Sequence, residues 1–251
     1  NWPVSNVINM ESMFESALSF NHDISNWNTY QVTNMRNMFK NAKEFDKPLN
    51  DWSINNVITM EGMFNDASAF NQPLDKWNDN VKVTDFSGMF SGASSFNSVI
   101  FTINSVNVTN IDYMFENAYK FNKTFNIELR NCVNLTKLNY IFKGAENFNS
   151  EIKENDLSEN SVKKKFYNVV EMKGLFQDAS SFNQDITNWN LKNMTNLNSM
   201  LSGAKSFDKN ISIWNLRDIV DASGIIRDTP LDDNNNPNGK NINGGEYTWG
   251  N

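Results

Sequence analysis

The side chains that usually perform catalysis are few in this chain and lie far apart in sequence. Histidine occurs once, at His22, and cysteine once, at Cys132. A zinc site or a Ser-His-Asp or Cys-His catalytic group needs several such side chains at compatible spacings, which this sequence does not supply. The carboxylates are numerous but scattered, without the paired setting of a glycosidase. We therefore expect a protein that is not an enzyme, with no catalytic residue, metal site or cofactor.

Two polar segments could bind ions, but both are more typical of solvated surface. Residues 234–245 are spaced like a calcium loop, yet the twelfth position is Gly245, where the loop needs a glutamate. The consecutive lysines at residues 163–165 could contact an anionic partner. The formal net charge of the chain is −7, which is a poor match for a phosphate backbone. We therefore expect no nucleic-acid partner.

One recurring sequence unit must position all of these side chains. It reads VTNMRNMFKNAKEFDKPLNDW over residues 32–52 and returns as VITMEGMFNDASAFNQPLDKW over residues 57–77. We number the repeats one to nine by a marker position, which is occupied by Phe14, Phe39, Phe64, Phe90, Phe115, Phe142, Phe176, Leu201 and Ile226. The marker recurs every 25 to 27 residues, except for a step of 34 between repeats six and seven. This regularity indicates an elongated array of stacked units.

Each repeat is predicted to contain two short elements. Met35, Met38, Phe39 and Ala42 follow an i, i+3, i+4, i+7 spacing, which favours one face of a short helix. The apolar position around Leu49, bounded by polar residues and proline, predicts a short strand. Stacked repeats would pair these strands into a parallel sheet. The predicted fold class is an α/β solenoid with one short parallel strand and one short helix per repeat.

Two further columns of residues have both a structural and a functional interpretation. An Asn or Asp follows the second phenylalanine of each of the first eight repeats, and we favour inward-turned side chains that satisfy backbone groups over a ligand-binding row. A tryptophan column could be an exposed platform for sugars or peptides, or part of the core, and we favour the core. The tryptophans that begin this column are Trp2, Trp27, Trp52 and Trp77.

The motif V-T-x-M-x-x-M-F-x-x-A-x-x-F-N-x-x-I-x-x-W resembles a bacterial surface-protein repeat found in mycoplasma lipoproteins and in cell-wall proteins of some Gram-positive bacteria. That repeat is in turn similar to BspA-like leucine-rich repeats. The positions that fit are Val32, Thr33, Met38, Phe39, Ala42, Phe45 and Leu49, and residues 131–138 also fit. The resemblance runs from Trp2 to about Ile226. It implies a leucine-rich-repeat-like right-handed coil, surface display and adhesion or protein binding, and it transfers no catalytic residue.

The repeats also set the predicted domain boundaries. Residues 1–231 form the array of about eight to nine coils, with an insertion near residues 153–167, and residues 232–251 form an Asn/Gly-rich C-terminal tail. Trp2 occupies the closing position of a preceding unit, so we expect this sequence to be part of a longer protein whose targeting segment lies elsewhere. No apolar run is long enough to cross a bilayer. We expect an extracellular or cell-surface location without membrane insertion of this fragment.

A candidate contact surface follows from the positions that vary between repeats. Repeat proteins build binding surfaces from a constant framework that carries a variable exposed column. The residues on either side of the strand position vary in this way, and the candidates for ligand contact are Val99, Phe101, Asp23, Ser25, Asp75 and Asn126. Val99 and Phe101 would form an exposed apolar pair at the centre of contact.

These expectations combine into a non-enzymatic cell-surface repeat module that mediates adhesion to a host or bacterial surface protein or glycan. The alternative is a passive structural spacer or a variable surface antigen without a fixed ligand. An exposed Val99–Phe101 pair would favour binding, whereas a wholly polar strand face would favour the spacer.

Overall fold

Regular secondary structure is sparse in the part of the chain that the computed structural model describes, namely residues 2–78, 80–153, 164–166, 168–212, 214, 216 and 219–231. These ranges contain no α-helix. Their strands are four two-residue segments: β1 (Phe125–Asn126), β2 (Ile152–Lys153), β3 (Lys164–Lys165) and β4 (Trp189–Asn190). β1 pairs in parallel with β2, and β3 with β4. The predicted α/β solenoid of leucine-rich-repeat type, with a helix and a strand in every repeat, is therefore wrong.

Consecutive β-turns occupy the segment for which the residue spacing predicts a helix. In repeat two, the N–H of Met38 donates to the carbonyl of Met35 at 3.2 Å, and the N–H of Ala42 donates to that of Phe39 at 3.0 Å. Each bond spans three residues, whereas an α-helix would span four. The chain thus turns every few residues and brings the same apolar positions to one side. A series of turns can produce the i, i+3, i+4, i+7 pattern without a helix.

The alternate N–H groups of the turn segment bond to the next repeat. The N–H of Met35 donates to the carbonyl of Thr59 at 3.1 Å. The N–H of Phe39 donates likewise to Met63 at 2.9 Å. A helix cannot make such bonds, because its interior N–H groups are used within the helix. Stacking therefore satisfies backbone groups that a single repeat would leave unpaired, and this favours turns over helices.

Two columns of backbone positions in the turns have a positive φ. In repeat two they are Asn37, with φ 53°, and Asn41, with φ 58°. A β-turn with a positive φ at its third residue favours glycine or asparagine there. All glycines before residue 232 fall in these two columns, at Gly62, Gly88, Gly92, Gly144, Gly174, Gly203 and Gly224. The glycines therefore mark the turns, not a hinge or a binding loop.

Two columns of phenylalanine form the core of the stacked repeats. Phe39 lies 4.0 Å from Phe45 within repeat two, measured between ring centroids. Phe39 also stacks on Phe64 of the next repeat at 5.6 Å, and Phe45 stacks on Phe70 at 6.0 Å, with nearly parallel rings. Ala42 is fully buried beside them, which explains why this position is small. The same arrangement recurs in repeats one to seven and creates a continuous aromatic core there.

The tryptophan column joins this core. Trp52 and Trp77 are buried, and each indole N–H donates to a backbone carbonyl of the preceding repeat, at 3.2 and 3.1 Å. The core interpretation is therefore confirmed for these two residues. Trp2 is 60% exposed, so the same interpretation is wrong there. Its ring stacks on that of Trp27 at 6.0 Å and on that of Phe14 at 6.1 Å.

Two of the predicted segments, the insertion and the C-terminal tail, fall largely on residues that the structure does not describe. The predicted insertion near residues 153–167 falls mostly on residues 154–163 and 167, and the predicted tail covers residues 232–251. These segments lie outside the described residues.

Candidate binding site at a tyrosine pair

Val99 and Phe101, the predicted apolar pair, are not both exposed. Val99 is 48% exposed, but Phe101 is only 1% exposed. The ring of Phe101 lies 6.3 Å from that of Trp77 and 5.3 Å from that of Phe86. Repeat four has no tryptophan to close it, and Phe101 turns inward to fill the space because close packing leaves little tolerance for an empty position in a column. The prediction of Phe101 as an exposed contact residue is therefore wrong.

The four polar candidates take part in local contacts on separate repeats. Asp23 accepts the N–H of Ser25 at 2.9 Å, and this bond holds the pKa of Asp23 below its ordinary value. Asp75 is exposed and accepts the side-chain amide of Asn50 at 3.0 Å. Asn126 lies half-buried in β1. Asp23 and Ser25 are brought together, whereas Asp75 and Asn126 belong to repeats three and five.

The most unusual backbone in the described repeats belongs to two tyrosines. Tyr113 has φ 62° and Tyr140 has φ 58°, and they occupy the same position in repeats five and six. In the other repeats this position holds Ser12, Asn37, Gly62, Gly88, Gly174, Ser199 and Gly224. Small or turn-forming residues tolerate a positive φ, whereas a bulky side chain there is strained. Strain of this kind is often found at functional sites, which makes the pair a candidate.

The two tyrosine rings form a stacked platform. Their centroids are 5.0 Å apart and the rings are 11° from parallel. Tyr113 is 41% exposed, so that part of the platform faces solvent. On the other side, the ring of Tyr140 lies against Gly174 of repeat seven, and a Cβ atom at that glycine would clash with the ring. The glycine thus provides the space in which the second ring lies.

Charged side chains surround the platform. The Nζ of Lys143 lies 5.7 Å from the centroid of the Tyr140 ring and 2.9 Å from the Oε1 of Glu116. The hydrogen bond to Glu116 raises the pKa of Lys143, so the ammonium group stays charged. Burial raises the pKa of the Tyr113 phenol, which therefore stays protonated at neutral pH. The platform thus presents the neutral phenol of Tyr113 beside a paired cation.

A polar network beneath the platform replaces a missing backbone bond. The N–H of Ile111 donates to no carbonyl in the described ranges, although its equivalents in the other stacked repeats donate to the next repeat. Instead, Asp112 accepts the N–H of Asn139 at 2.8 Å, and Asn139 accepts the N–H of Lys173 at 2.9 Å. Burial raises the pKa of Asp112 despite these bonds. The tyrosine pair therefore lies where the regular stacking changes.

Burial also raises the pKa of Glu171 in this network, but other contacts outweigh that effect. The side chain of Asn139 donates to Glu171 at 3.4 Å, and the ammonium groups of Lys137 and Lys173 lie within 3.5 Å of its carboxylate. The net result is a pKa of Glu171 below its ordinary value. Asp112 and Glu171 are thus two nearby carboxylates with opposite shifts.

This arrangement suits non-covalent binding. In the described part of the chain no group of three or more His, Cys, Asp or Glu side chains could hold a metal ion. Cys132 is buried, and burial raises the pKa of its thiol, so little nucleophilic thiolate forms at neutral pH.

Sequence reasoning missed the tyrosine pair because its signal depends on the turns. Two tyrosines in a column of Ser, Asn and Gly are conspicuous only once that column is known to have a positive φ.

No helix within the described ranges is long and apolar enough to cross a membrane.

A search of curated proteins and a search of solved structures each found no match for this chain. One family model matches three times in succession, over residues 1–82, 78–168 and 164–238, so that each match spans about three of the repeats numbered above. Because these matches together cover most of the sequence, the chain belongs to the mycoplasma protein family of unknown function called DUF285.

Proposed function

We propose that this chain is a non-enzymatic, cell-surface repeat module that binds another macromolecule, a protein or a glycan, outside the cell. The observation that carries the proposal is the stacked pair Tyr113–Tyr140, in which Tyr113 is exposed and Tyr140 half-buried, held at a backbone conformation that disfavours tyrosine. Membership in a mycoplasma repeat family is compatible with this role but names no ligand.

Selection for stability alone would favour other residues than tyrosine at these two positions. A non-glycine residue in a sparsely populated φ region costs about 1–3 kcal/mol. Other repeats avoid most of this cost with Gly62 or Asn37 at the same position. Stacking of the two rings recovers about 0.5–1.5 kcal/mol, which does not clearly offset two strained residues. An exposed tyrosine platform is well suited to contact a sugar ring or a planar side chain, since tyrosine combines a large apolar face with a hydroxyl group.

The alternative is a passive spacer or variable surface antigen without a fixed ligand. It is favoured by the many exposed polar side chains that bond only to neighbouring repeats, such as Asn71 to Asn97. A spacer needs regular stacking but has no use for a strained aromatic pair. The two functions therefore make different predictions for the tyrosines.

The test compares two variants on a glycan array and on a panel of cell-surface and matrix proteins. The double variant Tyr113→Asn, Tyr140→Asn places at both positions a residue that repeat two already carries. The control is Tyr119→Asn, which removes a 45% exposed tyrosine outside this column. Binding by the wild type and the control, with a loss of about tenfold or more in the double variant, would support the proposal. Equal specific binding by all three would show that the tyrosine pair is not the binding site and would overturn the assignment, whereas no specific binding by the wild type would favour the spacer.

A further inference from the structure

A second surface feature lies away from the tyrosine pair, where repeats six, seven and eight meet. It is a cleft of about 460 Å³ whose apolar lining includes Phe166, Val169 and Met194, all of them buried. Arg130 and Lys192 also line it and are the charged residues among the described lining. The cleft therefore combines an apolar floor with positive charge.

An exposed apolar stripe leads to this cleft. It consists of Val81, Val106 and Val133, which are 53%, 52% and 44% exposed, and Val133 lies on the edge of the cleft. We call these three residues the valine stripe. The residues occupy the same position in repeats four, five and six, two residues before an inward apolar side chain.

Three asparagine side chains hold the stripe in register. The carbonyls of Val81, Val106 and Val133 each accept a side-chain amide from the next repeat, at 2.7, 2.8 and 2.7 Å. The donors are Asn107, Asn134 and Asn168. Because neighbouring strands are about 4.8 Å apart, the stripe is about 10 Å long, which is comparable to three residues of extended peptide.

Among the described residues, the two cations of the cleft differ from other cations nearby in having no ion-pair partner. Lys143 pairs with Glu116, and Lys137 pairs with Glu171, at 2.9 and 3.4 Å. Within the described residues, neither Arg130 nor Lys192 forms a salt bridge. In a chain with a formal net charge of −7, two cations that have no ion-pair partner among the described residues form a local site for negative charge beside the cleft.

We propose that the valine stripe and the cleft bind an extended protein segment in which aliphatic side chains are followed by carboxylates. The aliphatic side chains would lie on the stripe and the carboxylates would reach Arg130 and Lys192. A nucleic acid is a poor alternative, because two cations cannot match a continuous phosphate backbone on an acidic protein. The site shares no residue with the tyrosine pair and does not depend on its function.

The experiment measures the fluorescence anisotropy of two labelled synthetic peptides added to the full chain. The first peptide is Val-Ile-Val-Gly-Glu-Asp-Glu, and the second has the same sequence with Gln-Asn-Gln in place of the three acidic residues. We expect saturable binding of the acidic peptide and weaker binding of the amide peptide. Charge-assisted hydrogen bonds would account for a difference of about tenfold. Equal binding of the two peptides, or no saturable binding of the acidic peptide below about 1 mM, would overturn the proposal.

Two sets of variants locate the binding on the chain. Arg130→Gln with Lys192→Gln, and separately Val133→Asn, should each weaken binding of the acidic peptide. Lys43→Gln with Lys205→Gln removes the same two charges from exposed positions outside the cleft and should leave binding unchanged. Unchanged binding in the cleft variants would overturn the assignment. The tyrosine double variant should bind this peptide like the wild type, so that failure of this proposal and failure of the proposed function can be told apart.

Discussion

The side-chain Oδ1 of Asn71 accepts the backbone N–H of Asn97, the equivalent residue of the next repeat, at 2.7 Å. The same bond joins the equivalent residues from Asn21 to Asp208, repeat after repeat. The prediction that this column has a structural role is confirmed. The side chains are exposed or half-buried, however, so the prediction that they turn inward is wrong.

Replacing one residue of this ladder should destabilise the stack. Asn71→Ala removes the acceptor for the N–H of Asn97 and for the hydroxyl of Ser98. We expect a loss of about 0.5–1.5 kcal/mol, the net contribution of a typical hydrogen bond, because water can reach this exposed position. Urea denaturation followed by circular dichroism would measure it. Asn71→Asp is the control, since Asp46 performs the same role with a carboxylate oxygen, and a similar loss in both variants would contradict the explanation.

Alanine at Gly174 should be more disruptive than alanine at Gly88. Both glycines have a positive φ, +50° and +58°, so both substitutions strain the backbone by about 1 kcal/mol or more. A Cβ at Gly174 would also clash with the ring of Tyr140, whereas Gly88 has an open surrounding. We expect a larger fall in the melting temperature for Gly174→Ala. Equal falls would mean that the Tyr140 ring moves aside at little cost.

The carboxylates of Asp112 and Glu171 should make the free energy of unfolding depend on pH in opposite directions. The pKa of Asp112 is raised, so the native state binds this proton more tightly than the unfolded state and the contribution of Asp112 to stability is lost as pH rises above its ordinary 3.8. The free energy of unfolding of the wild type, relative to Asp112→Asn, should therefore fall as pH rises from there. Urea denaturation between pH 3 and pH 7 would measure this difference.

Glu171→Gln provides the comparison of opposite sign. The pKa of Glu171 is lowered, so its contribution is present above its ordinary 4.5 and is lost as pH falls. The wild type should thus lose its advantage over this variant in acid. If both differences changed in the same direction with pH, the assigned environments of the two carboxylates would be incorrect.

Substitution of Trp77 should cost much more than substitution of Trp2. Trp77 is fully buried and its indole N–H donates to the carbonyl of Leu49. Trp77→Phe removes that bond and leaves a space, at an expected cost of about 1–3 kcal/mol. Trp2→Phe, at a 60% exposed position, should change stability by about 0.5 kcal/mol or less. The free energies of unfolding in urea check this, and acrylamide should quench Trp2 more strongly than Trp77.

The sequence was sufficient to identify which residues face the core but not which backbone brings them there. Met35, Met38, Phe39 and Ala42 are all buried, as the pattern predicts. Helices and consecutive turns can share this pattern, so the apolar positions alone cannot distinguish them. The distinguishing signal was glycine, as at Gly62, because a glycine inside a helix costs about 1 kcal/mol whereas a turn with a positive φ favours it.

Prediction of the candidate sites also required knowing whether the chain forms turns or regular helices and strands. Phe101 was predicted to be exposed because it lies beside the strand position and varies between repeats, but the chain around it forms only isolated bridges, such as that of Ile103 with Ile127. Without a continuous strand, alternation does not decide which side chain turns inward. The tyrosine pair could not be identified before the φ angles of Tyr113 and Tyr140 were known.

The missing backbone bond at Ile111 has a consequence for how the array loses its structure. In a stack whose repeats contact only their neighbours, unfolding spreads until it meets the weakest junction. We expect repeats one to five and repeats six to nine to act as two blocks, which remain joined by the backbone bonds of Tyr113, Phe115 and Asn117 and by the bond from Asn139 to Asp112. Their amide protons would exchange with solvent at two distinct rates, and a weakened junction would separate the two blocks before either one melts.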